Sequence, residues 1–557
     1  MKFNISLRGS SKKRTKEVKE EKAPPLPLAT PPDSPTKAST FSWSSSTVAA
    51  AEQESTYPSL LSTFSKASLS EPPASAAAPP PFSFHSDQKL SAIVVGAGFA
   101  GLSAAIGLAR QGWSVTIVER SGGPSKHGDC LTIGANAAKI IRRWGGGEVF
   151  DEMWQISAQG GAWLMKDEKG ETLRTEDLRD FPALYGAPVL QGHRGQFLGL
   201  LGLEARLNLV NIRLSMEVVR YIDSKKSPGL VVFDGKHEET LFADVIVVAD
   251  GFNSKSRELI VDSSRPTFLR PQPSTSTLDT SFTSPPPTSN YSVHRGLVRS
   301  EAIRANPRTA YLLDGCSRTW LGDDCHLTMT PLDKGRQISF NFIHSDFRGG
   351  PATLDWRQRR PISEVLELIE GWDDTLVEAI KTFGTYLHWA KTEEDAAERW
   401  TSAGGKIILI GDAVHPLPPS SFQGGSQAIE DGASLAVCLA LSGGREGVPR
   451  ALRAFESMRK PRVAEALEAG KQQRSLWHTW RSTGRLASHL DLLIAKFYHY
   501  DAELQTLAMF ERTVQRGDEP SWAMAEGRKS EVLAKLQVDK HPPLGELFEQ
   551  GKPRPRR

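Results

Sequence analysis

The stretch at residues 91–119 constrains the fold more than any other part of this sequence. Residues 92–96 (AIVVG) form a short apolar run typical of a buried strand, residues 102–110 have helical apolar spacing, and residues 114–119 (SVTIVE) are rich in β-branched side chains. A strand, a helix and a second strand within about 30 residues require a parallel sheet, because parallel strands need a crossover connection. The sequence therefore predicts an α/β fold that begins near residue 91.

The turn between the first strand and the helix reads Gly96-Ala97-Gly98-Phe99-Ala100-Gly101. In this position Gly96 permits a tight turn, Gly98 lets the backbone approach a pyrophosphate closely, and Gly101 lets the helix lie against the sheet. The N-terminus of the helix then directs unpaired N–H groups and its dipole at the phosphate. Glu119 ends the second strand, where a carboxylate accepts hydrogen bonds from ribose hydroxyls. The pattern predicts dinucleotide binding, with a glycine-rich turn that binds no ligand as the alternative.

Charge and cysteine content exclude several classes of protein. The 557 residues carry 68 Lys and Arg against 65 Asp and Glu, a net charge of +3, so neither nucleic acid nor an anionic membrane is the expected partner. The four cysteines contain no C-x-x-C pair and no zinc-binding spacing, which argues against a disulfide scaffold and predicts no metal site. For the same reason a pyridine-nucleotide disulfide reductase, which needs a redox cysteine pair near the first glycine-rich turn, is not expected.

Targeting signals are weak in this sequence. No run of about 20 apolar residues predicts a transmembrane segment. Residues 1–22 lack the apolar core of a signal peptide, because Lys, Arg and Glu are spread through them. We therefore expect a cytoplasmic protein. The basic residues and serines of this leader leave mitochondrial targeting open, although its glutamates count against it.

Composition and periodicity divide the rest of the chain. Residues 1–88 are rich in Pro, Ser and Ala, and residues 263–290 form a second low-complexity stretch, so we predict a disordered leader and a surface insertion. After the insertion, an antiparallel sheet is predicted from strands at residues 294–298, 309–313, 326–329 and 337–343. Helices are predicted at residues 363–382 and 427–441 and over most of 449–515, and a buried strand at residues 406–410.

Two later segments, taken together with the glycine-rich turn, resemble a known family. Residues 244–257 read DVIVVADGFNSKSR, and residues 410–431 read IGDAVHPLPPSSFQGGSQAIED. The three motifs in this order resemble the class A FAD-dependent monooxygenases, the p-hydroxybenzoate and salicylate hydroxylase-like family, which has fungal FAD-dependent members. The resemblance covers roughly residues 91–501. It implies an α/β fold, α+β overall, in which a Rossmann-like FAD-binding domain is interleaved with a smaller antiparallel-sheet substrate domain and followed by C-terminal helices.

The resemblance also implies domain limits. We expect the first part of the FAD-binding domain at residues 89–262, the substrate-binding lobe at 291–400, the second part of the FAD-binding domain at 401–445, a helical region at 446–520 and a polar tail at 521–557.

The resemblance further implies which residues bind FAD. Asp412 is expected to accept from a ribityl hydroxyl, and Gly424 and Gly425 to bring backbone N–H groups to the flavin edge. Arg194 is expected near the pyrophosphate. Asp250 is expected to order the FAD-side network, with Arg257 anchoring that loop through Asp250 or a phosphate. The full predicted set is Gly96, Gly98, Phe99, Ala100, Gly101, Glu119, Arg120, Gly128, Cys130, Arg194, Asp250, Asp412, Gly424 and Gly425.

The sequence departs from the family pattern at several positions. Cys130 stands where the family has glycine, and Phe422 precedes the Gln423-Gly424-Gly425 run where a smaller residue is usual. Thr330 replaces a tyrosine that acts as a phenolic acid or base in many members. Arg295 matches the family's arginine at the start of the substrate sheet and is the candidate catalytic residue, where a cation steadies a phenolate or carboxylate; a structural salt bridge is the alternative. The weaker pocket candidates are His326, His388 and Trp389.

The resemblance implies a monooxygenase that uses FAD, NAD(P)H and O₂ to hydroxylate an aromatic or other electron-rich molecule through a C4a-hydroperoxyflavin. A polyketide or indole-like substrate and a role in fungal secondary metabolism fit the same pattern. The same scaffold also supports epoxidation or oxidative decarboxylation. A non-catalytic flavin-binding protein, whose Pro-rich leader binds a partner through polyproline II structure, is a further alternative.

Overall fold

The computed structural model describes residues 89–123, 129–257, 291–345, 359–391, 396–484, 486, 491, 493–514 and 522–538. The predicted leader at residues 1–88 and the insertion at 263–290 lie outside this part of the chain. Within it, no helix is both long enough and apolar enough for a bilayer crossing.

The described part of the chain contains eighteen strands in four sheets. In chain order they are β1 (Ser91–Val95), β2 (Ser114–Val118), β3 (Cys130–Ile133), β4 (Ala162–Asp167), β5 (Thr172–Asp177), β6 (Leu190–His193), β7 (Asn211–Arg213), β8 (Glu217–Ile222), β9 (Gly229–Phe233), β10 (Glu238–Phe242), β11 (Val245–Val248), β12 (Tyr291–Arg299), β13 (Ser317–Gly322), β14 (Cys325–Leu332), β15 (Gln337–Ser345), β16 (Arg359–Pro361), β17 (Thr385–Lys391) and β18 (Ile407–Leu409).

The α-helices of the described residues pack around these sheets. They are α1 (Phe99–Arg110), α2 (Ala135–Arg142), α3 (Glu148–Gln155), α4 (Phe181–Tyr185), α5 (Arg194–Leu207), α6 (Glu301–Ala305), α7 (Ser363–Leu368), α8 (Asp374–Lys381), α9 (Gly424–Ala440), α10 (Val448–His478), α11 (Trp480–Thr483), α12 (Ala502–Val514) and α13 (Trp522–Leu536). Short 3₁₀ turns follow β11 and β18, at Lys255–Arg257 and Gly411–Ala413.

A parallel sheet forms the centre of the first layer. Its strand order is β18-β11-β1-β2-β7, and every pairing is parallel. Helices α1 and α9 pack against each other so closely that a Cβ on Gly432 would collide with the backbone of α1 at Ala104. The predicted α/β fold is therefore confirmed, and β18 brings the segment after residue 400 to the same sheet.

The second layer is an eight-stranded sheet in the order β16-β17-β12-β15-β14-β13-β4-β5. Its pairings are antiparallel except that β13 runs parallel to β4. Helices α7 and α8 cover one face of this sheet through a core that includes Phe340, Phe342 and Val365. The sheet takes β4 and β5 from residues 162–177 and its other strands from residues 291–391, so two distant segments of the chain build it.

Most predicted elements are confirmed, with two corrections. The predicted strand at residues 309–313 is wrong, because Ala310–Leu313 forms a 3₁₀ turn in which only Leu312 is buried. The helix predicted over residues 363–382 is two helices, since Gly371 adopts φ +74° between α7 and α8. The domain limits inferred from the sequence stay predictions.

Candidate active site

The glycine-rich turn joins β1 to α1, and its three glycines have different surroundings. Gly96 has φ +100° and its position would bring a Cβ onto the carbonyl of Ala249, while a Cβ on Gly101 would overlap the Gly96 carbonyl. Gly98 has extended backbone angles, and a Cβ there would meet nothing within 4 Å. Packing therefore requires glycine at the outer two positions, whereas Gly98 faces open space at the N-terminus of α1.

Glu119 lies directly after β2 and holds the glycine-rich turn. Its Oε2 accepts a hydrogen bond from the Ala97 N–H at 2.8 Å, and its Oε1 accepts one from Ser121 N–H at 2.8 Å. The carboxylate therefore lies beside the glycine-rich turn, and its hydrogen bonds to ribose hydroxyls stay a prediction. The neighbouring Arg120 is exposed to solvent.

Asp250 follows β11 and lies beside the same turn, since its Cα would be 3.3 Å from a Cβ on Gly96. Its Oδ2 accepts a hydrogen bond from the Ser256 hydroxyl at 2.7 Å, and its Oδ1 is buried without a partner among the described residues. Burial raises the pKa of Asp250. A buried carboxylate oxygen of this kind normally finds a donor in a ligand or in water.

Arg257 anchors this loop through carbonyl oxygens of the loop after β18. It donates to the carbonyls of Asp412 and Ala413, each at 2.7 Å, and to the Phe252 carbonyl at 2.9 Å. The predicted anchoring through Asp250 or a phosphate stays a prediction. The contacts with the carbonyls connect two FAD motifs that are about 160 residues apart in the sequence.

The loop after β18 contacts the start of α1. Gly411 has φ +62°, and a Cβ there would lie 2.8 Å from the Cβ of Ala100. The carboxylate of Asp412 is exposed and has no hydrogen-bond partner among the residues that the structure describes. It is therefore available to a ligand that lies across the N-terminus of α1.

The Gln423-Gly424-Gly425 run leads into helix α9 next to β3. A Cβ on Gly425 would lie 3.1 Å from a methyl group of Leu131, whereas one on Gly424 would meet nothing within 4 Å. The Gly134 N–H donates to the Ser426 hydroxyl at 2.9 Å, which fixes β3 against the helix start. Ala100 of α1 and Ala428 of α9 both lie within 4 Å of a Cβ placed on Gly411, so the two helices begin at the same end of the sheet.

Asp129 connects this region to the substrate-side sheet. Its Oδ2 forms an ion pair with the guanidinium of Arg295 at 2.6 Å, and its carbonyl accepts from the Arg194 N–H at 3.0 Å. The Arg194 guanidinium lies 6.0 Å from the ring centre of Phe99 in α1. Burial and the Asp129 charge raise the pKa of Cys130 to about 12, so its thiol stays neutral. The predicted site residue Gly128 lies outside the described residues.

Phe422 forms an aromatic wall between the flavin motif and the substrate-side sheet. Its backbone has φ +50°, which is uncommon for a residue with a bulky side chain. The ring packs edge-on against Trp163 of β4 and Trp477 of α10, with centroid distances of 5.1 Å and 5.9 Å. These contacts are possible because phenylalanine stands at residue 422, where the family usually has a smaller residue.

The two histidine candidates lie on opposite faces of the substrate-side sheet, and of the two only His326 shares the face of Arg295. His388 pairs in register with His294, and since side chains alternate along a strand, both point to the opposite face from Arg295. Burial, then the neighbouring histidines, lower the pKa of His294 to about 2. His326 contacts His478 at 3.0 Å, and burial lowers its pKa as well. The side chain of Trp389 lies outside what the structure describes.

A buried ionic cluster behind the flavin motifs was not found from the sequence. It contains Arg459 and Arg462 of α10 with Glu430 and Asp431 of α9, all buried. Burial alone would raise the pKa of Asp431, but the charges and hydrogen bonds of His415 and Arg459 lower it to about 2. Two arginines three positions apart and a Glu-Asp pair are the only sequence signals, and such patterns are common on solvated helices.

The residues present fit FAD. Glycines that admit a pyrophosphate, an exposed carboxylate at Asp412 and a second helix start at Gly424 converge on one region. Two further buried polar atoms next to Gly134, Asn136 Oδ1 and Gln423 Nε2, have no hydrogen-bond partner among the described residues. Polar atoms of this kind normally find a partner in a ligand or water.

Comparisons with known proteins agree with this geometry. The sequence profile of the FAD binding domain family matches residues 89–470. Asperlicin C monooxygenase of Petromyces alliaceus is 27% identical over 443 residues, which cover 76% of this chain and 89% of that protein. The FAD-dependent monooxygenase nodY2 of Hypoxylon pulicicidum is 29% identical over 406 residues, covering 67% and 80%.

The fold also resembles a solved structure. A salicylate hydroxylase substrate complex superimposes with a TM-score of 0.60 at 22% identity, covering 78% of this chain and 100% of that chain. At this identity the likeness concerns the fold alone.

Proposed function

The chain belongs to the FAD binding domain family and is an FAD-dependent monooxygenase, and we propose that it uses NAD(P)H and O₂ to hydroxylate an aromatic or other electron-rich small molecule. The balanced reaction consumes one NAD(P)H, one proton and one O₂. One oxygen atom enters the substrate and the other leaves as water. FAD, when bound, supplies the redox and oxygen chemistry, and the protein supplies binding, orientation and exclusion of water.

One observation carries the proposal: three motifs that are far apart in the sequence meet at one place. A Cβ on Gly411 would lie 2.8 Å from Ala100, next to the glycine-rich turn, and 3.8 Å from Ala428 near the start of α9, so the three motifs lie at the same end of the parallel sheet. In the proposed site, Gly98 and Arg194 face the pyrophosphate and Asp412 accepts from the ribityl chain. The N-terminus of α9 stabilises negative charge at the flavin edge, because its unpaired N–H groups and dipole favour an anion.

Arg295 is the proposed substrate-side residue. Its guanidinium is one quarter exposed and is bonded to Asp129, which itself lies between the flavin motifs and the sheet. In the proposed site, Asp129 would orient the Arg295 guanidinium so that its N–H groups donate to developing oxyanion character on a substrate. The same ion pair is the contact that the alternative, a structural salt bridge, requires. Thr330, whose hydroxyl lies 3.1 Å from that of Ser317, cannot act as a phenolic base. We therefore expect a substrate that is electron-rich enough to be hydroxylated without first being deprotonated by a tyrosine at position 330.

The test begins with the full-length protein reconstituted with FAD. NADH and NADPH oxidation and O₂ uptake are measured with phenols, salicylates, indoles and polyketides, and products are analysed by mass spectrometry after reaction with isotopically labelled O₂. Ligand-stimulated NAD(P)H oxidation with one labelled oxygen in the product supports the proposal. Failure to bind FAD, or bound FAD without oxygen insertion into any substrate, contradicts it.

Product structure separates the alternatives on the same scaffold. An epoxide or a decarboxylated product would replace hydroxylation with epoxidation or oxidative decarboxylation. The relatives reported above are fungal enzymes, one of which is named for its action on asperlicin C. We extend this to the present chain as a proposed role in tailoring a secondary metabolite.

A further inference from the structure

We propose that Arg459 is a positioning residue that sets two flavin-contacting segments at once, the Gly411-Asp412 loop and the start of α9. The inference rests on the proposed FAD site. Arg459 lies in α10 and is fully buried, and its described hydrogen bonds to α9 go to side chains rather than to the backbone. It acts through the side chains of α9.

Three side chains on one face of α9 accept hydrogen bonds from the guanidinium of Arg459. It donates to Asp431 Oδ1 at 2.8 Å, to Glu430 Oε2 at 2.6 Å and to Gln427 Oε1 at 2.6 Å. Residues 427, 430 and 431 share a helix face because they are three and four positions apart. The planar fork of arginine matches such a set of acceptors, whereas the single ammonium group of lysine does not.

Two chains of hydrogen bonds, here called arms, lead from Arg459 to these segments. The first arm connects Arg459 through Asp431 to the Gly411-Asp412 loop. While Oδ1 is held by Arg459, Oδ2 accepts the Gly411 N–H at 2.9 Å and contacts His415 Nε2 at 2.5 Å. Gly411 precedes Asp412, so the rotamer of Asp431 determines where the loop places the Asp412 carboxylate. The hydrogen bond from Arg459 fixes that rotamer.

The second arm connects Arg459 through Gln427 to the start of α9. Gln427 accepts from Arg459 with Oε1 and donates from Nε2 to Gln423 Oε1 at 3.1 Å. Asn136 donates to the same oxygen of Gln423 at 3.1 Å and to Glu430 Oε1 at 2.6 Å. Gln423 immediately precedes Gly424, so this arm fixes the first backbone N–H groups of α9.

The ionic character of the cluster supports positioning over simple stabilisation. Arg459 and Arg462 balance Glu430 and Asp431, and all four are buried. Burying such charges costs desolvation energy that apolar side chains would avoid, so a buried ion-pair cluster is weak evidence for stability. The hydrogen bonds of the cluster are directional, however, and they connect Arg459 to the two segments where FAD is expected to bind.

The test compares Arg459→Lys with Arg143→Lys in the full-length protein. Arg143 is a matched control because it is also buried and also binds two carboxylates, those of Asp501 and Glu503, away from the flavin segments. FAD affinity is measured by titration of FAD-free protein. The visible circular dichroism of the bound flavin is recorded at saturating FAD, and unfolding midpoints are recorded without FAD.

The expected result is an FAD dissociation constant at least about tenfold higher for Arg459→Lys than for Arg143→Lys, with an altered flavin spectrum at saturation. Gln427→Leu leaves all four charges in place and cuts only the second arm, so it supplies the same test if Arg459→Lys fails to fold. Unchanged affinity and spectrum in the folded variants, or equal losses in the Arg143 control, would overturn the inference.

Failure of the wild-type protein to bind FAD contradicts the proposed site and the positioning role together. If the wild-type protein binds FAD but inserts no oxygen into any substrate, the proposed reaction fails while the positioning role is still decided by the FAD affinities.

Discussion

A methyl group at Gly98 should separate FAD binding from folding. Gly98 has φ −80° and ψ −175°, angles that alanine adopts without strain, and a Cβ there meets no protein atom within 4 Å. Gly98→Ala therefore lowers the free energy of unfolding of FAD-free protein by less than about 1 kcal/mol, the usual cost of alanine at a helix N-cap. In the complex, however, the methyl group occupies the space through which the pyrophosphate approaches the backbone.

The expected loss of affinity follows from the hydrogen bonds that this approach permits. Two charge-assisted bonds from backbone N–H groups to a phosphate contribute about 1.5 kcal/mol each at the low end, so losing both weakens FAD binding by about 3 kcal/mol, roughly a hundredfold. The assay is fluorescence titration of FAD-free protein, with unfolding midpoints measured in parallel. Gly123→Ala is the control, since a Cβ there also meets nothing within 4 Å. Wild-type affinity in folded Gly98→Ala would refute the placement of the pyrophosphate.

Three further outcomes are expected. Nearby charges lower the pKa of Asp431 to about 2 despite its burial, so its contribution to stability is complete above about pH 4 and is lost as the pH falls toward 2. Acid unfolding of Asp431→Asn should lack this pH dependence, and identical pH profiles for the variant and the wild-type protein would contradict the assignment. The raised pKa of Cys130 predicts alkylation by iodoacetamide at pH 8 at least about a hundredfold slower than that of a model thiol, as peptide mass spectrometry would show; rapid labelling of folded protein would disprove it. Phe422→Ala removes two edge-to-face contacts, with Trp163 and Trp477, and should lower the free energy of unfolding by about 2 kcal/mol in urea titrations. An unchanged unfolding midpoint would mean that the Phe422 ring is not packed as described.

Local patterns in the sequence predicted much of the fold and several site positions. The strand-turn-helix at Gly96 could be predicted because a glycine-rich turn between a β-branched strand and an apolar helix has few other conformations. The position of Asp412 directly after a buried strand followed in the same way, and β18 confirms that strand at Ile407–Leu409. The strand predicted at residues 309–313 failed because a short apolar run (TAYLL) does not distinguish a strand from a 3₁₀ turn.

The tertiary structure alone decided which distant residues meet. Three contacts join separate segments of the chain: the strand pairing of Arg318 with Leu164, the ion pair of Arg295 with Asp129, and the hydrogen bonds of Arg459 to α9. With 68 basic and 65 acidic residues, the sequence permits on the order of thousands of opposite-charge pairs. Backbone conformation is constrained by steric contacts between near neighbours and can therefore be inferred locally. An ion pair depends on where two strands or helices are packed, and only the assembled sheets and helices determine that.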